Sequence, residues 1–280
     1  MSAANQAQIE LWNGRVGAKW AALQAALDMM LAPATVEITR RAGSVAGIRL
    51  LDIGCGNGKT CSIWLAGGAH VTGVDVSEAM LAVAARRTAG KATLIKADAS
   101  VWRSEIPFDL AVSQFGLMFF ADPNAAFANI ATNVRPGGRF LFTCWRSVAK
   151  NQWVSLPMAA IRDLIPQASA STAEPAIPPP GPFALADRAR LDGIVASAGF
   201  SNITITPFDF SVCLATQGGA AAAADFSMQI GPAAAAIAEL DSDIKITAKE
   251  RLQSAYAPFV CEGRVDVGGA IWIVDATREH

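Results

Sequence analysis

Short apolar runs alternate with helix-compatible segments through the middle of the chain. Residues 49–53, 70–75, 92–98 and 109–114 have the length and apolar content of buried strands, and helical patterns separate several of them. A fifth strand is predicted after the turn at residues 135–138, ending at Cys144. Strands that alternate with helices in this way form right-handed crossover units and a parallel sheet. The pattern therefore predicts a doubly wound α/β core.

The flanking regions have a looser pattern. Helices are predicted over residues 7–31 in two pieces and then, in chain order, over residues 36–46, 153–164, 188–198, 218–240 and 249–256. Further strands are predicted over residues 203–212 and 270–274. The proline-rich stretch at residues 166–182 is typical of a linker or the margin of a lid.

The first strand ends in a glycine-rich turn. Gly54, Gly56 and Gly58 follow Asp52 and Ile53 at alternate positions, immediately before a predicted helix. Glycine adopts positive φ readily and lets a bound group approach the backbone. The N–H groups at a helix start also attract a carboxylate or a phosphate. The turn therefore indicates a nucleotide-binding loop.

Two later strands also end in acids. Asp75 follows the loop by about twenty residues, where a carboxylate accepts hydrogen bonds from ribose hydroxyls. Asp98 ends the third strand, where it could accept a hydrogen bond from the amine of an adenine. One residue separates Gly56 from Gly58, whereas the dinucleotide fingerprint has two. The pattern favours an adenosine-containing cofactor other than a dinucleotide, although an NAD-dependent oxidoreductase stays open as an alternative.

Composition narrows the class of protein. Of the 280 residues, 52% are hydrophobic and 17% are charged, with net charge −1 and mean hydropathy +0.32, which is typical of a globular protein. Because the charges are mixed, a nucleic-acid partner is disfavoured. We expect no membrane span, since no apolar run approaches twenty residues, and we see no secretory signal. Five scattered cysteines without metal-ligand spacing predict reduced thiols, no metal and a cytoplasmic location.

Four motifs in order point to one family. They are LDIGCGNG at residues 51–58, GVDVS at 73–77, KADA at 96–99 and RPGGR at 135–139. This series resembles the class I S-adenosylmethionine-dependent methyltransferases, and is most similar to the small-molecule type of the ubiquinone and menaquinone biosynthesis methyltransferases. The resemblance covers about residues 48–145. It implies methyl transfer from S-adenosyl-L-methionine to a small molecule, with S-adenosyl-L-homocysteine as the product.

The resemblance also implies roles for individual residues. The glycine loop would hold the methionine part of the cofactor, and Asp75 the ribose. Asp98 and Ala99 match the adenine-amine site, while Gln114 and Phe115 match the position that faces the sulfonium and the substrate. The expected cofactor-binding residues are Trp20, Asp52, Gly54, Cys55, Gly56, Gly58, Asp75, Val76, Met80, Asp98, Ala99, Gln114 and Phe115.

The family's fold implies a seven-stranded Rossmann-like sheet in the order 3-2-1-4-5-7-6 with the last strand antiparallel. We expect a single domain with an N-terminal helical arm at residues 1–46 and a cofactor-binding core at 47–147. Lid or substrate insertions would occupy residues 148–200 and 213–265, and closing strands residues 201–212 and 266–280. Trp12, Asn13 and Trp20 resemble an aromatic arm seen in some relatives, which implies that the arm closes over the cofactor.

No catalytic residue is predicted. Methyl transfer from a sulfonium gains much of its rate from positioning and desolvation, so a base is optional. His70 begins a strand at the end away from the expected site, and His280 is the last residue. Phe119, Trp145 and Trp153 are expected to line a pocket for a hydrophobic acceptor, aromatic or isoprenoid. The methylated atom stays open, as does a homodimer, and so does a cofactor-binding protein without methyl-transfer activity.

Overall fold

A mixed β-sheet forms the centre of the fold. The computed structural model describes residues 5–165 and 178–279. Most of the proline-rich stretch predicted as a linker lies outside these described residues. The strands are β1 (Arg49–Ile53), β2 (His70–Asp75), β3 (Thr93–Lys96), β4 (Phe108–Gln114), β5 (Val134–Trp145), β6 (Phe200–Ala215), β7 (Val260–Cys261) and β8 (Arg264–Arg278).

The strand order is β3-β2-β1-β4-β5-β8-β6, and the short strand β7 pairs with β8 outside this path. Strands β1 to β5 pair in parallel with their neighbours. Strand β8 is antiparallel to both β5 and β6. The predicted order and the antiparallel last strand are therefore confirmed, because β8 takes the place of the predicted seventh strand and β7 is an addition of two residues.

Four helices form the N-terminal arm: α1 (Gln6–Asn13), α2 (Arg15–Ala22), α3 (Gln24–Met30) and α4 (Ala32–Ala42). The prediction of two pieces over residues 7–31 was wrong, because the helix also breaks at Leu23, where neither glycine nor proline marks the break. Gly17 lies inside α2 and not at a break. The position has no room for a side chain, since a Cβ there would meet the Trp12 carbonyl oxygen at 1.8 Å. Helix α4 begins earlier than predicted because Pro33 occupies its first turn.

Three helices cross between the parallel strands: α5 (Lys59–Ala66), α6 (Glu78–Arg87) and α7 (Pro123–Thr132). Helix α7 begins where the sequence predicts it, with Pro123 in the first turn and Asp122 as the N-cap. The Asp122 carboxylate accepts a hydrogen bond from the Ala125 N–H at 3.0 Å. Such crossovers cover both faces of the parallel strands, so the strand interiors are apolar.

Five helices belong to the regions that follow β5: α8 (Gln152–Ala160), α9 (Arg188–Ser197), α10 (Gly219–Ser227), α11 (Pro232–Ala238) and α12 (Ser242–Tyr256). Strands β6 and β8 are longer than predicted, at 16 and 15 residues. The exposure of β6 alternates along residues 201–211, as in an edge strand with one covered face. Within the described residues, the structure has no helix long and apolar enough to cross a membrane.

Aromatic side chains pack the core between the sheet and its helices. Phe127 of α7 meets Phe140 and Phe142 of β5 edge-to-face, at centroid distances of 5.8 and 5.6 Å. Phe200 of β6 stacks on Phe140 at 5.0 Å. These rings are fully buried and tie the helices and the strands together. The parallel pairing of β1 with β2 and with β4 holds the carboxyl ends of these three strands side by side at one edge of the sheet.

Candidate active site

A cavity opens at the carboxyl ends of the parallel strands, where open α/β sheets bind ligands. The loops after β1 to β4 form one side, and the N-terminal arm forms the other. All the expected cofactor-binding residues except Asp52 and Gly58 line this cavity. The structure therefore brings together residues that the sequence spreads from Trp20 to Phe115, while their role in binding stays a prediction.

The glycines of the loop have different physical roles. Gly54 has φ +65°, and a Cβ there would lie 2.8 Å from Gly116 Cα, so the loops after β1 and β4 touch through their backbones. Gly58 lies against Ala84 of α6, outside the cavity lining. At Gly56, which has φ +51°, a Cβ would meet nothing closer than the Met80 sulfur at 3.8 Å. Gly56 is therefore the glycine whose missing side chain leaves room beside the cavity.

Asp75 ends β2 with its carboxylate bound to the backbone of two loops. Its Oδ2 accepts a hydrogen bond from the Gly56 N–H and its Oδ1 one from the Ser77 N–H, both at 2.8 Å. Burial raises the pKa of this carboxyl, against the backbone N–H groups that lower it. Each oxygen has two lone pairs, so the carboxylate has acceptor capacity for a pair of hydroxyls as well. This donor and acceptor chemistry fits a ribose.

Asp98 follows β3 and is buried with the N-terminal arm against it. Its Oδ1 accepts hydrogen bonds from the Asn5 side chain at 3.1 Å and from the Ser100 N–H at 2.9 Å. The Asn5 amide oxygen in turn accepts from the Ala121 N–H at 3.3 Å. Asn5 also lines the cavity and was not predicted from sequence, because no strand or glycine motif accompanies an asparagine at the start of an arm helix.

Asp52 and Cys61 lie behind the glycine loop. The Cys61 thiol donates a hydrogen bond to the Asp52 carboxylate at 3.4 Å, and Asp52 is only 1% exposed. Burial raises the pKa of Asp52 to about 6, although hydrogen bonds from neighbouring side chains oppose the shift. The predicted contact of Asp52 with cofactor stays a prediction, and the structure places the residue where it supports the loop from beneath.

The N-terminal arm is fastened over the cavity by aromatic and polar contacts. The Trp12 ring meets Trp20 at 5.5 Å and Phe119 at 5.0 Å, both edge-to-face. The Asn13 side chain donates to the Val76 carbonyl oxygen at 2.9 Å. Asn57 of the glycine loop donates to the Trp20 carbonyl oxygen at 2.9 Å. The arm is therefore attached to the loops that follow β1 and β2.

A mainly apolar part of the cavity lining comes from α3, α4 and the loop after β4. In the predicted reaction it would face the methyl acceptor, so we call it the acceptor side: Leu27, Leu31, Thr35, Gln114, Phe115 and Phe119. Phe115 has φ +63°, a sparsely populated conformation for a bulky residue. Its ring stacks on Trp145 at 4.5 Å, and Trp145 meets Trp153 at 4.8 Å. Trp145 and Trp153 lie behind Phe115 and outside the cavity lining, unlike Phe119. Their role in a substrate pocket stays a prediction.

Three residues on the acceptor side, in α3, in α4 and at the junction between them, were missed from sequence. Leu27 and Leu31 supply apolar wall, and Thr35 forms a hydrogen-bonded pair with Gln114. Asp28 also lines the cavity, and its carboxylate is ion-paired with Arg87 at 2.6 Å. Nothing in the local sequence marks these positions, because the way the arm packs on the sheet decides which helix face meets the cavity.

Comparisons with known proteins agree with this geometry. Residues 51–142 match the model of a family described as a methyltransferase domain. The chain is 35% identical over 113 residues to the demethylmenaquinone methyltransferase of Clavibacter sepedonicus, covering 38% of this chain and 44% of that protein. It is 39% identical over 111 residues to the ubiquinone biosynthesis O-methyltransferase of Aromatoleum aromaticum, covering 38% and 47%. The matches therefore span less than half the length of either relative.

One solved structure extends the likeness to the whole fold. It is phosphoethanolamine N-methyltransferase 2 of Haemonchus contortus, in complex with phosphomonomethylethanolamine and S-adenosylhomocysteine. It superposes with a TM-score of 0.53 at 17% identity, covering 91% of this chain and 57% of that protein. Together with the strand order and the match over residues 51–142, this confirms that the chain has the fold and the ordered motifs of the class I S-adenosylmethionine-dependent methyltransferases.

Proposed function

We propose that this protein transfers a methyl group from S-adenosyl-L-methionine to a small, largely apolar acceptor. The observation that carries the proposal is the convergence of Gly56, Asp75 and Asp98, from three successive strand ends, on one cavity. The relatives support it, since one is named a demethylmenaquinone methyltransferase and another a ubiquinone biosynthesis O-methyltransferase, and the matching family is described as a methyltransferase domain. They favour methyl transfer over the hydride transfer of an oxidoreductase.

The residues at the strand ends fit the parts of the cofactor. The glycine loop and the start of α5 would hold the methionine part, because backbone N–H groups there attract a carboxylate. The Asp75 carboxylate would hold the ribose hydroxyls. Val76 and Met80 would flank the adenine, with Asp98 and Ala99 beside its amine. When bound, the cofactor supplies a methyl group on a sulfonium, which is the electrophile of the reaction.

The protein's own part in the chemistry would be positioning and exclusion of water. The acceptor side presents apolar walls, and the arm covers the cavity through Trp12 and Trp20. Asp28, which follows Leu27 of the acceptor side, has its carboxylate paired with Arg87 and is not offered as a base. An acceptor aligned within such a site gains rate from proximity and desolvation without a dedicated base.

A methyl-transfer assay tests the proposal. The protein is incubated with S-adenosyl-L-methionine carrying a tritiated methyl group and with a panel of apolar phenols, quinols and amines. We expect label in at least one organic product, and no transfer by the Asp75→Asn variant. Cofactor binding with no transfer to any panel member would favour the alternative of a binding protein without methyl-transfer activity.

We also propose a cytoplasmic location, because all five cysteines are free and four of them are buried. A homodimer stays a prediction. Sedimentation velocity at micromolar protein concentration checks it, since the apparent molecular mass of a dimer would be twice that of the 29.2 kDa chain.

A further inference from the structure

We propose that Thr35 is a positioning residue that, through Gln114, selects an uncharged acceptor carrying a hydroxyl group. The inference rests on the proposed function and deepens it. It concerns a residue of α4, in the N-terminal arm, that belongs to none of the sequence motifs.

A short chain of hydrogen bonds fixes the Gln114 amide. The Thr35 hydroxyl lies 3.1 Å from the Leu31 carbonyl oxygen and 3.1 Å from the Gln114 Oε1, and the Gln114 Nε2 donates to the same hydroxyl at 2.9 Å. A hydroxyl has a single proton, which it donates to one of these two oxygens. Because the Gln114 Oε1 has two lone pairs, it keeps acceptor capacity for a ligand in either arrangement.

The surroundings make this polar pair decisive for recognition. Leu27 and Phe115 are buried beside it, and Leu31 and Phe119 complete an apolar wall. A ligand that displaces water from such a wall and offers no hydrogen bond to the amide leaves a buried polar group unsatisfied. A site that binds a hydroxyl therefore discriminates against an analogue that lacks it.

The charges around the cavity disfavour ionised acceptors. Within the described lining, the cationic side chain is Lys59, which follows the glycine loop and is exposed. An acceptor carboxylate placed against Leu27, Leu31 and Phe119 would lose its water without gaining a cation. An ammonium group would compete with Arg87 for Asp28, whose carboxylate Arg87 already holds at 2.6 Å. An uncharged hydroxyl meets neither penalty.

A set of four probes with one ring system tests the selectivity. Binding of 2-naphthol, naphthalene, 2-naphthoate and 2-naphthylmethylammonium to the protein is measured by ligand-observed NMR, with S-adenosyl-L-homocysteine saturating. We expect 2-naphthol to bind about three- to tenfold more tightly than naphthalene, as one net hydrogen bond provides. The two ions should bind more weakly than 2-naphthol. Equal or tighter binding of either ion, or no binding of 2-naphthol, overturns the proposal.

Variants of α4 separate recognition from folding. Thr35→Val keeps the shape and removes the hydroxyl, so the ratio of naphthalene to 2-naphthol dissociation constants should fall to about one, and Thr35→Ser should restore it. Thr39→Val is the matched control, because Thr39 also donates to a backbone carbonyl of α4, at 2.7 Å, but lies outside the cavity lining. A merely structural role for Thr35 would change all four affinities together and leave their ratio intact, which also overturns the proposal.

The readouts also distinguish this inference from the proposed function. S-adenosyl-L-homocysteine should bind the Thr35→Val variant with wild-type affinity, because Thr35 lies on the acceptor side. Failure of S-adenosyl-L-homocysteine to bind the wild-type protein contradicts the proposed function itself. Normal cofactor binding with an unchanged selectivity ratio in Thr35→Val contradicts only the role of Thr35.

Discussion

The two sides of the cavity are built in different ways. On the cofactor side, Gly56, Asp75 and Asp98 follow strands β1, β2 and β3, and the loop backbone fixes the Asp75 carboxylate. On the acceptor side, α3 and α4 of the arm contribute apolar side chains and a single hydroxyl–amide pair. The sheet therefore determines the first side, whereas the packing of the arm determines the second. A fold of this kind can keep its cofactor site while the arm changes the acceptor.

Asp75→Asn tests the cofactor side with the largest expected effect. Affinity for S-adenosyl-L-homocysteine should fall about a hundredfold or more, since hydrogen bonds to a charged group contribute about 1.5–3 kcal/mol each. Calorimetric titration measures the change. Glu78→Gln is the matched control, because Glu78 pairs with Lys96 and lies outside the cavity lining. Equal losses in both variants would contradict the assignment of Asp75.

Gly54→Ala and Gly56→Ala separate packing from ligand approach. Gly54→Ala should lower the free energy of unfolding by about 2–4 kcal/mol, because the new methyl group meets Gly116 Cα at 2.8 Å. Gly56→Ala should cost about 1 kcal/mol for its positive φ, yet weaken cofactor binding about tenfold. Urea denaturation and calorimetry of both variants provide the comparison. The opposite ranking in stability would show that the loops after β1 and β4 are not in contact.

The pH dependence of stability tests the buried support beneath the loop. The pKa of Asp52 is about 6 in the folded protein against an ordinary 3.8, so the folded state binds the proton more tightly. Protonated Asp52 therefore makes its full contribution to the free energy of unfolding below about pH 4. This contribution of about 3 kcal/mol is lost as the pH rises through 6. Asp52→Asn should remove that decline. The free energy of unfolding is measured by urea denaturation from pH 4 to pH 7. If it changes with pH in the same way for the wild-type and variant proteins, the raised pKa of Asp52 is contradicted.

Trp12→Leu tests the attachment of the arm, with the smallest expected effect. The change removes two edge-to-face contacts, worth about 0.5–1.5 kcal/mol each, while an apolar side chain remains. Hydrogen exchange in α1 and α2 should become faster, and cofactor should dissociate several-fold faster. Leu11→Ala is a suitable control, because Leu11 is 44% exposed. Unchanged exchange in the Trp12 variant would mean that the arm is held by other contacts.

The difference between the two sides also explains what the sequence predicted. Glycines and acids that follow buried strands meet at one edge of a parallel sheet, so Gly56, Asp75 and Asp98 could be assigned together. The contribution of Thr35 depends on how α4 packs, which no local pattern specifies. Trp145 was expected in the pocket as one of several aromatic residues near the strand ends. Phe115, which lines the cavity, stacks on it, and a role of Trp145 in a substrate pocket stays a prediction.

Closing strands show the same limit. The apolar centre of β8 was visible at residues 270–274, but its full length from Arg264 depends on pairing with β6. The alternating exposure of β6 is that of an edge strand covered on one face. The prediction missed its first and last three residues, 200–202 and 213–215, among which Phe200, Cys213 and Ala215 pair with β8. Long-range pairing thus extended both strands beyond what their own residues indicate.

Calorimetric titration of the wild-type protein with S-adenosyl-L-methionine, with NAD titrated in parallel, tests the central claim most directly. The claim is that the loops after β1, β2 and β3 form one site for an adenosine cofactor with an amino-acid end. It predicts saturable binding of S-adenosyl-L-methionine at one site per chain and no comparable binding of NAD. Absence of S-adenosyl-L-methionine binding, or tighter binding of NAD, would contradict it.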